Sequence, residues 1–138
     1  MGQKVNPVGY RTGVFRDWKS RWYATKEEFA NLLIEDNKIR HFIKKHPTKN
    51  YKAAGIDRIE IERTRDEVKV YLHVARPGLI IGKKGQEVEI LQEELQNLIG
   101  RRINLKIEEI GRPELFAQLV AEKLAEQIAK RASFRRIM

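Results

Sequence analysis

Arg76-Pro77-Gly78-Leu79-Ile80-Ile81-Gly82-Lys83-Lys84-Gly85-Gln86 is the stretch on which the fold turns. Arg76-Pro77-Gly78 stops any strand that leads into it, because proline has no N–H to donate to a ladder. Leu79-Ile80-Ile81 is short and apolar, and Gly82-Lys83-Lys84-Gly85 opens onto residues 86–99. There Val88, Leu91, Leu95 and Leu98 recur at spacings of three and four, the pattern of an amphipathic helix, and Gly100 supplies a stop. The four-residue loop therefore joins two helical segments and carries two lysines and no acid.

Upstream, Ile59 and Ile61 alternate with Glu60 and Glu62. After a polar turn near Arg65-Asp66, Val68, Val70, Leu72 and Val74 alternate with Lys69, Tyr71 and His73. Period-two alternation in neighbouring runs predicts a hairpin with one face on a core. Downstream, Ile103, Leu105 and Ile107 alternate with Asn104, Lys106 and Glu108, giving a third strand. Half-buried strands need a helix layer over their apolar face, so the class is α+β, a three-stranded sheet with helices on one side.

Thr25-Lys26-Glu27-Glu28 has the spacing of a capping box, followed by Phe29, Leu32 and Leu33 and then Ile39, Phe42 and Ile43. Asp36-Asn37 interrupts the series with side chains that compete for local backbone bonds, so a kinked helix or two short ones are expected before Pro47. Residues 1–24 form a separate basic arm without sustained period: Lys4, Arg11, Arg16, Lys19 and Arg21 against the single acid Asp17. Trp18 and Trp22 are best read as pins holding that arm to the domain. After residues 25–110, Gly111-Arg112-Pro113 opens a last amphipathic helix with the stripe Leu115, Leu119, Val120, Leu124 and Ile128. Lys130, Arg131, Arg135 and Arg136 make its end basic.

With 28 Lys and Arg against 19 Asp and Glu, the 138-residue chain carries a formal charge of +9, so polyanions are its natural partners. It contains no cysteine, which removes thiolate chemistry and disulfides. No stretch approaches the roughly 18 apolar residues of a membrane span, nor does the start resemble a signal peptide, so a cytoplasmic protein is expected. His41 and His46 are five apart on a helix and share no face, while His73 sits on the outward register of its strand. Without a metal set, a nucleophile with its base, or a phosphate loop of the nucleotide-hydrolysing kind, neither an enzyme nor a cofactor nor a small-molecule substrate is expected.

A GxxG alone is weak evidence, since glycine is common and such a pattern is mostly an ordinary turn; its surroundings give it a use. Glycine at 82 and 85 lets a sugar-phosphate backbone come close, the following helix N-terminus offers unpaired N–H groups, and Lys83 and Lys84 add full charges. The run from Gly78 to Gly85, in this order of elements, resembles a type II KH domain, in which a GxxG loop clamps backbone and adjacent apolar groups receive bases. Met1-Gly2-Gln3-Lys4-Val5-Asn6-Pro7, Ala75-Arg76-Pro77-Gly78, Pro113-Glu114-Leu115 and Phe134-Arg135-Arg136 extend the likeness over the whole chain. Together they resemble the family of bacterial-type small-subunit ribosomal protein three.

That resemblance implies a constituent of the small-subunit head that binds ribosomal RNA, touches neighbouring ribosomal proteins and lines the channel where messenger RNA enters. The implied RNA contacts are Arg76, Ile81, Gly82, Lys83, Lys84 and Gly85 at the loop, Lys4, Arg11, Arg16, Lys19 and Arg21 on the arm, and Lys130, Arg131, Arg135 and Arg136 at the end of the last helix. The family continues into a second α+β domain whereas this sequence stops at Met138, so 111–138 reads as the start of that domain. Its stripe is then expected to dock on the core or on a second copy. A free-standing KH-type factor of ribosome assembly or transcription is the rival reading, against which the opening heptapeptide and the Phe134-Arg135-Arg136 terminus argue.

Overall fold

The computed structural model describes residues 2–46, 51–65, 67–82 and 85–137. In chain order these form α1 (Pro7–Arg11), β1 (Ser20–Arg21), α2 (Lys26–Lys44), a 3-10 turn at Tyr51–Ala54, β2 (Ile56–Arg63), β3 (Glu67–Val74), α3 (Gly78–Ile81), α4 (Gln86–Ile99), β4 (Arg102–Glu109), a second 3-10 turn at Pro113–Leu115, α5 (Ala117–Ala129) and α6 (Phe134–Ile137). The sheet is mixed, in the order β1-β2-β3-β4. The β2–β3 pair is the expected antiparallel hairpin, β4 runs parallel to β3 after the helical crossover, and β1 runs parallel to β2.

The alternation in the sequence becomes one buried face. Ile59 and Ile61 of β2, the four apolar residues of β3, and Ile103 and Leu105 of β4 join Ile39 and Ile43 of α2, Ile80 of α3, and Leu91 and Leu95 of α4 in a single core. Both long helices thus cover the same side of the sheet. The opposite side carries rows of polar residues set by the register, Glu60 beside Tyr71 beside Lys106, and Arg58 beside His73 beside Glu108.

Four expectations need correction. The sheet has four strands rather than three, because Ser20-Arg21 of the arm pairs with Ile61 and Glu62. The arm also holds a helical turn, α1, whose N-terminus is capped by the Asn6 side chain accepting from Val8 and Gly9 N–H at 2.9 and 3.2 Å. α2 runs unbroken through Asp36-Asn37, because Asp36 turns inward to distant partners rather than to its own backbone. The Thr25 side chain makes no capping bond. The expected end of α2 near Pro47 and the turn residue Asp66 lie outside the described residues.

The apolar stripes are also rotated from their sequence reading. Phe29 and Leu33 face outward, leaving Ile39 and Ile43 as the buried apolar contacts of α2. On α4, Ile99 packs against the core and Leu98 faces out. The last helix begins at Ala117, after the 3-10 turn, so Leu115 is separated from the stripe and stands 75% exposed. No residue of α5 is buried, although Leu119 and Leu124 are half-covered.

The arm is fastened by a buried polar cluster. Asp36, 2% exposed, accepts from Arg63 Nε and Nη2 at 2.8 and 2.6 Å on one oxygen, and from Ser20 Oγ and Trp22 Nε1, both at 2.8 Å, on the other. Such saturation is what a buried carboxylate requires. Trp22 also tilts against Phe29 with ring centroids 5.4 Å apart, so it pins the arm as expected. Trp18 does not, being 61% exposed. Arg40 adds bonds to Lys19 O and Ser20 Oγ, both at 2.9 Å, and to Ile59 O. Burial pulls its guanidinium below the usual arginine value, opposed by Asp36 and Glu60.

Candidate nucleic-acid interface

At the end of β3, Ala75 N–H donates to Gly55 O at 2.9 Å and Arg76 N–H to Ala54 O at 3.0 Å, tying the chain to the first 3-10 turn. Pro77 then enters α3, a single turn anchored by the fully buried Ile80. Leu79 and Ile81 flank that anchor and stay exposed, so apolar surface is presented beside the loop.

Gly82 ends α3 with φ 67 and ψ −166, a conformation reserved almost wholly for glycine. Gly85 caps α4 with φ 82 and ψ 0, in the left-handed region. The loop's two glycines are therefore both required by the backbone, quite apart from any ligand. With glycine as the cap, the cap residue has no side chain to bond the first N–H groups of the 14-residue α4. Those donors and the partial positive charge of the helix end make this point suited to an anion. The first turn also contains Glu87 and Glu89. Lys83 and Lys84 lie outside the described residues.

Among the arm candidates, Lys4 and Arg16 are exposed, and Arg11 is exposed with its guanidinium donating to Pro7 O at 3.0 Å. Lys19 is exposed, with its carbonyl held by Ile61 N–H and Arg40. Arg21 is engaged differently: its guanidinium lies 2.8 Å from Asp17, 3.0 Å from Glu60 and 3.2 Å from Glu62. Its charge is shared among three carboxylates, which makes it the arm cation with least to offer a phosphate. On the terminal patch, Lys130 pairs with Glu126 at 2.7 Å, and this bond holds the Glu126 carboxyl below the usual glutamate value. Arg131, Arg135 and Arg136 are exposed.

The open face of the sheet offers chemistry of another kind. Tyr71 donates to Glu62 at 3.1 Å, which raises the phenol above the usual tyrosine value, and Lys106 lies 5.4 Å from the centre of its ring. His73 stands between Glu60 and Glu108, at 3.4 and 3.3 Å. His46, by contrast, is buried edge-on to Phe42 and Tyr51 and lies 2.6 Å from Glu94. Among the described residues, no group of three or more His, Asp or Glu is placed to hold a metal ion. A shallow cleft between the arm and α2, lined by Ser20, Leu33, Ile34, Asp36, Asn37 and Arg40, has its carboxylate already saturated by the arm-fastening bonds.

The sheet, the paired helices and the glycine loop between α3 and α4 coincide with a sequence match to the KH domain family over residues 38–115. This chain belongs to the KH domain family. Its α+β KH fold is of the second type, with the addition of β1 at the edge. Small ribosomal subunit protein uS3 of Rhodopirellula baltica is 76% identical to it over 139 residues, covering all of this chain and 59% of that protein. The proteins of the same name from Desulforudis audaxviator and Geobacter sulfurreducens are each 54% identical over 138 residues, with 62% and 63% of their lengths covered. The chain thus spans about three-fifths of the length of these relatives, matching their N-terminal KH part. The resemblance read from the KH loop and the opening heptapeptide is borne out over the whole chain.

Proposed function

We propose that this chain is the RNA-binding KH part of a small ribosomal subunit protein in the cytoplasm, holding ribosomal RNA through its glycine loop and its two basic ends. The observation that carries the reading is the junction of α3 and α4: Gly82 and Gly85 both hold positive φ, and a helix end whose cap residue is a glycine follows them. Such a junction contacts backbone and leaves base identity to neighbouring groups. Gly82, Lys83, Lys84 and Gly85 take phosphate, Arg76 stands at the entrance, and the exposed Ile81 gives a base an apolar surface. Lys4, Arg11, Arg16, Lys19 and, less freely, Arg21 extend the interface along the arm.

By likeness to the ribosomal family, Lys130, Arg131, Arg135 and Arg136 face messenger RNA where it enters the subunit, and exposed apolar groups of the arm and α5 meet neighbouring ribosomal proteins. No catalytic step, cofactor, small-molecule substrate or membrane belongs to this reading. No helix among the described residues is long and apolar enough to cross a membrane. A free-standing KH factor would use the same loop, but similarity extending through the arm and α6 favours the ribosomal setting.

The test replaces Lys83 and Lys84 with Asp and measures binding to single-stranded RNA over a range of salt. Binding should weaken and its salt dependence flatten by close to one unit of slope for each phosphate that is no longer neutralised, with the fold intact. Unchanged affinity would move the site elsewhere. Duplex DNA and anionic vesicles, compared with RNA at one salt concentration, should bind less well; equal binding to all three would reduce the protein to a non-specific polycation.

A further inference from the structure

β4 is the end strand of the sheet on the side away from the arm. It pairs with β3 through eight consecutive residues without a bulge, and it contains no proline. Two hydrogen bonds tell which of its backbone groups face outward. Ile110 N–H donates to Val74 O at 2.9 Å, toward β3, and in a parallel ladder successive residues aim their N–H and C=O to opposite sides. Asn104, Lys106 and Glu108 therefore bond β3, while Ile103, Leu105, Ile107 and Glu109 face away from it. Gln96 of α4 donates to Ile103 O at 3.2 Å and so occupies one outward carbonyl. The outward groups of Leu105, Ile107 and Glu109 meet no partner among the described residues. An unpaired edge of this length is a template for another strand.

We propose that the strand it takes is β4 of a second copy of this chain, running antiparallel across a twofold axis at Leu105. This axis sets Ile103 opposite Ile107 and Leu105 opposite itself, so outward backbone groups meet outward backbone groups. On the open face it brings Arg102 opposite Glu108 and Asn104 opposite Lys106. Moving the axis to Asn104 would set Arg102 against Lys106, and moving it to Lys106 would set that lysine against itself. An axis between two residues would aim outward groups at residues already bonded to β3. The match of charge with charge thus selects one register, because β4 is cationic toward its start and anionic at its end. Arg102 is exposed, and Glu108 stays half-exposed beside His73 at 3.3 Å, so both are able to reach across. The side chain that α4 sets at the edge, Gln96, is uncharged. The pairing would join two sheets into one, and it is independent of the RNA reading. A single pair of strands is a small interface, so the association is weak and concentration-dependent.

The experiment follows the full chain by sedimentation equilibrium at low salt, from about 10 μM to about 1 mM, for wild type, Arg102→Glu, Glu108→Arg and R102E/E108R. Wild type should dimerise within that range. Each single substitution sets like charges opposite each other at both ends of the pairing and should weaken association about tenfold. The double variant exchanges the two charges and should return close to wild type. R102E lowers the net positive charge of the chain and E108R raises it, so general repulsion between copies would move the two in opposite directions. A chain that stays monomeric throughout, single variants that move oppositely, or a double variant that fails to recover would each overturn the proposal. Should a single variant lower the thermal midpoint, amide exchange of the wild type decides instead. Protection at Leu105, Ile107 and Glu109 should rise from dilute to concentrated solution while Asn104 and Lys106, already bonded to β3, stay as they are. No rise at those three residues, or a rise confined to other parts of the chain, would contradict pairing through this edge.

Discussion

The arm and the last helix are both appendages to the same sheet, yet they are attached by opposite means. The arm, rich in exposed aromatics, is held by polar groups: Asp36 takes four hydrogen bonds, two of them from Ser20 and Trp22, and Arg21 is bracketed by Asp17, Glu60 and Glu62. α5 has an apolar stripe but buries none of it fully. Its described contacts with the domain include Lys44 with Glu122 at 3.9 Å and Leu119 near Gly55. Buried ionic groups give a definite geometry because each is costly unless matched, whereas a half-covered apolar face settles for any apolar neighbour. Lys19 is thereby presented from a fixed strand edge, and Lys130 to Arg136 ride on an element held only shallowly.

Unequal losses should follow when the two attachments are cut. Arg63→Ala would leave Asp36 buried without its main counter-charge and should lower stability by about 3–5 kcal/mol in chemical denaturation. A loss under about 1 kcal/mol would mean the cluster fastens nothing. Trp22→Phe removes the donor to Asp36 and keeps most of the ring, so about 1.5–3 kcal/mol should be lost. Amide exchange should quicken at Ser20 and Arg21 while the inner strands stay protected; uniform acceleration would make the arm part of the core. Leu119→Ala should cost less than about 1.5 kcal/mol, since its side chain is only half-covered, with faster exchange confined to 117–129. A cost equal to that of Arg63→Ala would erase the difference between the appendages.

The smallest effect concerns pH. Glu126 is held below its ordinary value by Lys130, so the folded helix favours its ionised form. That contribution is present above the unfolded carboxylate value and is lost as pH falls through the lowered folded one. Protection factors at residues 126–131, corrected for the intrinsic pH dependence of exchange, should therefore fall on acidification, and Glu126→Gln should abolish that fall. A pH response unchanged in the variant would place its source elsewhere.

What was legible in the sequence followed from strict periodicity. β3 and β4 alternate apolar and polar residues, as β2 does from Ile59 onward past its irregularity between Ile56 and Arg58, so their inward faces, their partner helices and the crossover are readable from spacing. β1 is not, since two residues have no period and Ser20-Arg21 becomes a strand only by pairing with Ile61 and Glu62. The same network explains why α2 passes Asp36 unbroken: a residue that looks like a breaker is one when its side chain bonds locally, and here Arg63, 27 positions away, claims it. Leu98 and Ile99 exchanged roles because adjacent apolar residues straddle the edge of the buried face, and spacing alone does not choose between them. At the loop, the need for glycine was readable at 82 and 85, whereas Glu87 lying over Gly82 was not, because the charge reads equally well as ordinary helix-end favour.

These attachments matter because the proposed interface gives RNA three landing places and leaves out the open sheet face. Crosslinking the chain to RNA within an assembled small subunit, with the modified residues mapped along the sequence, tests that division most directly. Crosslinks should gather at 76–85, with further ones at 4–21 and 130–136. Crosslinks absent from 76–85, or centred on Tyr71, Asn104 and Lys106 of the open face, would contradict the assignment of the glycine loop as the RNA clamp.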